Sequence, residues 1–377
     1  MGGRILIVGG GIAGLTLAAA LSGGSHEVDL IERAPGWALV GAGIGIGVNG
    51  MTAMARLGLA DAITARGQPL SAWEILTLAG RRLHRFDFGP IAARHGVNSV
   101  SIHRAHLHEV LLAATGGARI RMGTSLAALD LLDDGVLARF TDGMEARYDL
   151  VVGADGIRSQ VRDLIFGPCA LTYSGQTSFR CLVERAPGLE GLVEIWGVDG
   201  RIGVSSINDA ETYCYVTLLA EEGEELSPEG NLDLFRRTFA EFGEPFRHVY
   251  DRVLRPEQLI RTDIHELIDH PWTRGRVVLI GDAAHAITPN LGQGGVMAIL
   301  DAVALADRLG ADPDWDAALE AFVAARLGPV RATQERSRLF GQLAHIVGEP
   351  DLATFRDTLV GTYGYDLMRR IVMGQYD

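Results

Sequence analysis

The sequence predicts an α/β protein in which a doubly wound, mainly parallel sheet is interleaved with a mainly antiparallel β domain and followed by C-terminal helices. Three observations predict it. The chain opens with a strand, a glycine turn, a helix and a second strand over residues 4 to 33. Apolar runs at Leu150–Val152 and Val277–Ile280 each end at a glycine, as strands buried on both faces do. Between them, residues 170 to 220 carry short β-rich runs separated by polar turns.

Taken in order, Arg4–Val8 reads as a buried strand, Gly14–Leu21 as a helix of small and apolar residues, and Glu27–Ile31 as the next strand, which together make the opening β-α-β unit. Asp149 to Arg162 holds a strand, then Asp155-Gly156, then a polar helix start. Val193–Trp196 and Tyr213–Leu219 are strands of an antiparallel sheet. Gly275 to His285 contains a strand ending at Gly281-Asp282, and Pro289 to Gly295 leads into a helix through Asp301. Residues 315 to 345 have helical periodicity, with Leu319, Phe322, Val323 and Leu327 on one side. The chain thus leaves its first sheet and returns to it twice. Enzymes that hold NAD alone more often complete that sheet in one stretch, so the interleaving favours a larger dinucleotide.

Composition removes several function classes. A formal net charge of -13 argues against a nucleic-acid partner, which needs concentrated Lys and Arg. All 34 basic residues are arginine. Without a lysine amine there is no P-loop phosphate site, Schiff base or pyridoxal phosphate attachment. The three cysteines, Cys169, Cys181 and Cys214, have neither disulfide-framework nor zinc spacing, which suits a reducing, cytoplasmic location. The apolar run Ile5–Leu21 is interrupted by four glycines, unlike a signal-peptide core, and nothing else is apolar enough to insert stably in a membrane.

Gly9-Gly10-Gly11-Ile12-Ala13-Gly14 matches G-x-G-x-x-G between a strand and a helix. Gly9 permits the tight turn, Gly11 lets the backbone approach a pyrophosphate, and Gly14 lets helix and strand pack closely, with the anion at the helix N-terminus. Glu32 stands at the end of the second strand, about twenty residues on, where a carboxylate meets a ribose diol. This fingerprint does not separate FAD from NAD. Gly45 to Gly50 repeats the glycine pattern, but without the same framing strand and helix, and reads as a glycine-rich loop rather than a second nucleotide domain. Asp282, after a buried strand and Gly281, can present a carboxylate to a polyol, while both Asp155 and Asp282 also read as turn or N-cap residues. The Gly292–Gly295 turn offers backbone N–H groups to a flat polar ring edge.

These three blocks, in this order, resemble the single-component FAD-dependent aromatic hydroxylases, the p-hydroxybenzoate hydroxylase-like flavoprotein monooxygenases, over about residues 4 to 310. The resemblance implies non-covalent FAD, with Gly9, Gly11, Ile12, Ala13 and Gly14 at its pyrophosphate and Glu32 and Arg33 at its adenosine end. It further implies Arg104 at the ribose and phosphate region, Asp155 in the motif linked to FAD and NAD(P)H, and Asp282 at the ribityl chain. Pro289, Gly292, Gly294, Gly295 and Val296 match the loop beside the isoalloxazine, so Pro289 and Gly292 are the residues nearest the chemistry and no acid or base is assigned. Leu300 stands where many relatives carry Glu. The implied domains are FAD-binding (1–75, 100–168, 271–310), substrate (76–99, 169–270) and a C-terminal helical segment (311–377).

The implied reaction uses NAD(P)H and dioxygen to hydroxylate a small aromatic or heteroaromatic substrate through a flavin C4a-hydroperoxide, with water excluded. Arg201, Tyr213 and Tyr215, from the antiparallel domain, are the expected substrate residues, although a surface arginine and two packing tyrosines would look the same. No metal is expected: His103 and His106 share a helix face but His108 does not, and no further ligand completes a set. His285 reads as a packed residue near the cofactor. A flavoprotein epoxidase or reductase acting on an isoprenoid or polyene is the alternative, while a flavin-dependent halogenase resembles a mechanism that needs a lysine. A monomer or homodimer is expected.

The purified protein should therefore be yellow and release FAD on denaturation. A folded protein that stays colourless in excess FAD would overturn the reading.

Overall fold

The structure is a computed structural model that describes residues 2–37, 42–198, 200–346 and 350–371. Its first sheet has six strands in the order Thr273–Arg274, Val277–Leu279, Leu150–Gly153, Arg4–Val8, Glu27–Glu32 and Arg119–Met122. All neighbours run parallel except the first pair. The centre of the sheet is formed by residues with nothing but apolar side chains, Ile5 to Val8 and Leu150 to Val152, because helices or a second layer cover both faces. Helices Ile12–Leu21 and Gly294–Ala311 pack against each other over this sheet. A three-stranded antiparallel sheet, Leu126–Leu132, Gly135–Phe140 and Glu145–Tyr148, adjoins it.

The second large sheet has seven strands, ordered Ile260–Glu266, Thr172–Glu184, Glu211–Leu219, Arg201–Ser206, Leu192–Trp196, Ala72–Thr77 and Arg82–Asp87. It is antiparallel except where Leu192–Trp196 meets Ala72–Thr77. Its two faces differ in chemistry because side chains alternate along each strand. Phe179, Cys181, Ile195, Ile202, Val204, Cys214 and Val216 face one way and pack on Phe235, Phe239 and Phe246. The intervening Arg180, Glu194, Trp196, Arg201, Ser205, Tyr213, Tyr215 and Thr217 occupy the other face. That is why Arg201–Ser206 is buried at every position, polar residues included.

Two expectations need correction. The domain boundary at 75 falls inside Ala72–Thr77, whose hydrogen bonds go to the seven-stranded sheet, so residues 72–75 belong with it. Gly45–Gly50 is framed after all, by strand Gly43–Ile46 and helix Val48–Arg56. That strand pairs antiparallel with Val100–His103 in a separate three-stranded sheet, so it is not a second nucleotide-binding unit.

The long helix Trp315–Ala344 runs from the first sheet to the second, and helix Pro350–Ile371 packs on strand Arg82–Asp87. Residues 372–377 of the expected C-terminal segment lie outside the described residues. Arg356 fastens this last helix: it is buried, donates to the carbonyls of Gly197 at 3.0 Å and Ala344 at 3.2 Å, and pairs with Asp357 at 2.8 Å. Removing a charged donor leaves those buried carbonyls unpaired, so Arg356→Met should cost about 2–3 kcal/mol. Urea unfolding checks this, and an unchanged midpoint would show that the last helix does not depend on that contact.

Candidate cofactor groove and substrate face

The glycine turn is shaped by steric exclusion. Gly9 has φ of +107°, and a Cβ there would lie 2.5 Å from the Ala154 carbonyl oxygen, so the first two sequence blocks meet at this backbone. A Cβ on Gly14 would lie 2.0 Å from the Gly9 carbonyl oxygen, whereas one on Gly11 would meet nothing within 4 Å. Two of the three fingerprint glycines are thus filled by protein and the third faces open space, as a pyrophosphate at the helix N-terminus requires. Ile12 and Ala13 are buried behind the turn in the first turn of that helix.

Glu32 accepts from the backbone N–H of Gly10 and of Ala34, each at 2.9 Å. An ionised carboxylate has about four acceptor sites, so capacity for a sugar diol remains. Arg33 beside it is exposed. His108 bonds the Gly10 carbonyl through Nε2 at 2.9 Å, and its ring lies 4.7 Å from that of Trp37. Neither residue is visible as a site residue in the sequence, because nothing local ties Trp37 or His108 to Gly10.

Asp155 is occupied by its own helix. It accepts from Ser159 and from the N–H groups of Gln160 at 2.7 Å and Val161 at 3.0 Å, while burial pushes its carboxyl up. The structure therefore makes it a cap whose backbone abuts Gly9. Asp282 differs. Its side chain is open to solvent and has no hydrogen-bond or ion-pair partner among the described residues. Protein nonetheless crowds it enough that burial pushes its carboxyl above the usual range, against the opposing charges of His285 and Arg104. The open surface decides whether it can meet a ligand, and together these describe a group on the floor of a groove. Arg104 heads helix Arg104–Ala113, is exposed, and is felt electrostatically by both Asp282 and Tyr213.

The turn carrying Asp282 is held from behind. Asp301 is fully buried and accepts from Gly281 N–H at 3.0 Å, His285 Nε2 at 2.5 Å and Arg326 Nε at 2.8 Å. Burial would raise its carboxyl, but His285, Arg326 and Gly281 outweigh that and hold it below the ordinary carboxylate range. His285 is spent on this network and on a tilted ring contact with Trp272.

Pro289–Leu291 is a single 3-10 turn, and Gly292 ends it in the left-handed region at φ of +64°. Helix Gly294–Ala311 then begins without a side-chain cap, so the N–H groups of Gly294, Gly295 and Val296 point free of the helix. Gly294 and Gly295 lie beside Asp282 and Ile44 respectively. Leu291 packs on the apolar cluster that contains Trp73, Trp196 and Phe340.

The polar face of the seven-stranded sheet meets this loop. Tyr213 lies against Gly43, where a Cβ would come within 2.4 Å of its ring, and both Tyr213 and Tyr215 are partly exposed. Arg201 is not a surface residue: it is 1% exposed and donates to Asn290 Oδ1 at 3.0 Å. Glu194, also 1% exposed, lies 3.7 Å from the Arg201 guanidinium and accepts from Tyr215 and from Trp196 Nε1. Arg201 therefore braces the Pro289–Leu291 turn, and the two tyrosines are the more open residues of this face. Arg180, one strand toward the sheet edge, bonds Thr262.

The groove thus offers an open glycine turn, a carboxylate unpartnered among the described residues with an arginine nearby, and an uncapped helix start. This donor and acceptor set fits FAD. A model of the FAD binding domain matches residues 3–320. The chain is 36% identical to the aurachin C monooxygenase/isomerase of Stigmatella aurantiaca over 326 residues, covering 86% of this chain and 85% of that one. It is 37% identical to the 2-heptyl-3-hydroxy-4(1H)-quinolone synthase of Pseudomonas aeruginosa (strain UCBPP-PA14) over 306 residues, covering 80% and 79%. Among solved structures it is similar to Klebsiella pneumoniae HpxO complexed with FAD and uric acid, with a TM-score of 0.88 and 27% identity over 99% of this chain and 96% of that chain.

Removal of a charged hydrogen-bond partner costs roughly 1.5 to 3 kcal/mol, so Asp282→Ala should weaken FAD binding at least about tenfold. Titration of the FAD-free protein with FAD measures it. Unchanged affinity would remove Asp282 from the groove.

Proposed function

The chain belongs to the FAD-binding-domain family, and from that premise we propose that it hydroxylates a small nitrogen heteroaromatic ring of the 4-quinolone type, using NAD(P)H and dioxygen. It is an FAD-dependent monooxygenase, and its relatives act on small aromatic and heteroaromatic compounds. The epoxidase or isoprenoid reductase alternative is not favoured by them. Among the described residues no helix is long and apolar enough to cross a membrane.

One observation carries the substrate reading: the two most deeply buried charges of the inner wall, Glu194 and Arg201, are spent on each other, while Arg180 on the same face is tied to Thr262 toward the sheet edge. Glu194 and Arg201 face each other at 3.7 Å beside Tyr215, which bonds Glu194. A wall of that kind recognises a ring by hydrogen bonds and stacking rather than by a carboxylate. One relative is named as the synthase of a hydroxylated 4-quinolone and another as an aurachin C monooxygenase/isomerase, which supports a ring of this type.

The protein's own part in the reaction is positional. Bound FAD supplies hydride acceptance and the activation of dioxygen. Asp282, Arg104 and the N–H groups of Gly294 to Val296 hold it, while Pro289 and Gly292 shape the side toward the substrate. The Arg201–Asn290 bond sets the distance between that loop and the tyrosines. Thr288 and Ser337 exchange hydrogen bonds and fasten the same loop to the long helix. Trp73, Trp196, Phe340 and Leu291 make the wall behind it apolar and keep water from the reacting atoms.

The test is 2-heptyl-4(1H)-quinolone added to the FAD-loaded protein with NAD(P)H and labelled dioxygen. NAD(P)H oxidation should accelerate and one labelled atom should appear in the product. Label arriving from water, or oxidation indifferent to the ring, would overturn the proposal.

A further inference from the structure

Tyr215, Gly203 and Glu194 lie in one row across three adjacent strands, each opposite the next. The central position has no side chain, and the Tyr215 ring fills that space: a Cβ on Gly203 would lie 2.1 Å from Tyr215 Cζ. The phenol oxygen thereby crosses the middle strand and donates its proton to Glu194 Oε1. Glu194 is pinned in turn. Its Oε2 accepts from Trp196 Nε1 at 2.9 Å, and its charge is balanced by Arg201. At 1% exposure, Glu194 has no water to compete for it.

A tyrosine hydroxyl has one donor and two acceptor sites. With the donor committed to a buried carboxylate, the phenol oxygen of this half-buried residue can only accept. It also stays a phenol, since burial and the Glu194 charge push its pKa well above the usual value. We propose that Glu194 is a positioning residue that fixes Tyr215 as a hydrogen-bond acceptor, so that the ring this site takes is one presenting an N–H donor to the Tyr215 oxygen. The proposal rests on the functional reading above and adds to it the atom by which the ring is held. Accepting from the N–H of a vinylogous amide also moves electron density into the ring, the direction that electrophilic oxygen transfer needs.

The test compares 2-heptyl-4(1H)-quinolone with its N-methyl derivative, by the perturbation each causes in the flavin absorbance of the FAD-loaded protein without reductant. The wild-type protein should prefer the N–H ring by about tenfold or more. Tyr215→Phe should bring the ratio near unity by weakening the N–H ring alone. In Glu194→Gln, the amide oxygen takes the Trp196 donor and the amide nitrogen faces Tyr215, so the phenol turns its own proton outward and the preference should vanish or reverse. Glu194→Asp keeps the charge opposite Arg201 but withdraws from the phenol, and should flatten the ratio even if Glu194→Gln does not fold. A wild-type ratio preserved in FAD-loaded Tyr215→Phe, or in both Glu194 variants, would overturn the inference while leaving the functional reading intact. No response of the wild-type protein to either ring would overturn both.

Discussion

The site depends on a carboxylate that water does not reach. Asp301 binds Gly281, His285 and Arg326, which belong to the end of a central strand, to the short helix after it and to the long helix Trp315–Ala344. A buried charge with only one such partner would cost several kcal/mol, so all three must be present together. Their common geometry determines where the backbone turns at Gly281 and therefore where Asp282 emerges. The same residue anchors helix Gly294–Ala311, whose uncapped start faces the groove.

A second buried charge serves the opposite wall. Arg201 reaches from the seven-stranded sheet to Asn290 in the loop after that turn, so the two sheets meet through a side chain rather than through flexible chain. Gly341 makes this contact possible, since a Cβ there would lie 2.2 Å from Asn290 Nδ2. The long helix therefore touches both anchors, with Arg326 on Asp301 and Gly341 beside Asn290. A displacement of that helix would move cofactor groove and substrate face together, which is how a protein keeps two layers in register for chemistry between them.

Much of the cofactor groove was legible in the sequence. The glycine turn, Glu32 and the uncapped start at Gly294 each depend on a few consecutive residues and on backbone sterics, which act at short range. Asp282 was legible for the same reason, as the first polar residue after a buried strand. Asp155 was half legible: its position after Gly153 marked a turn, but whether it meets a ligand or caps its own helix depends on side-chain geometry, and the structure has it capping. The framing of Gly45–Gly50 was missed because Gly43–Ile46 is held as a strand by pairing with Val100–His103, more than fifty residues away.

The sequence by itself determined the layered α/β class, the twofold return to the first sheet and the backbone cradle for a dinucleotide, because these follow from apolar patterning and glycine sterics that neighbouring residues settle among themselves. It also placed Arg201, Tyr213 and Tyr215 near one another in a β-rich segment. Only the tertiary structure decided what they do. The alternation of faces and the cross-strand register put Tyr215 over Gly203 onto Glu194, and made Arg201, expected as a substrate residue, a buried brace for Asn290. The first relation exists only once three strands are in register, and the second only once the loop carrying Asn290 has closed on the seven-stranded sheet.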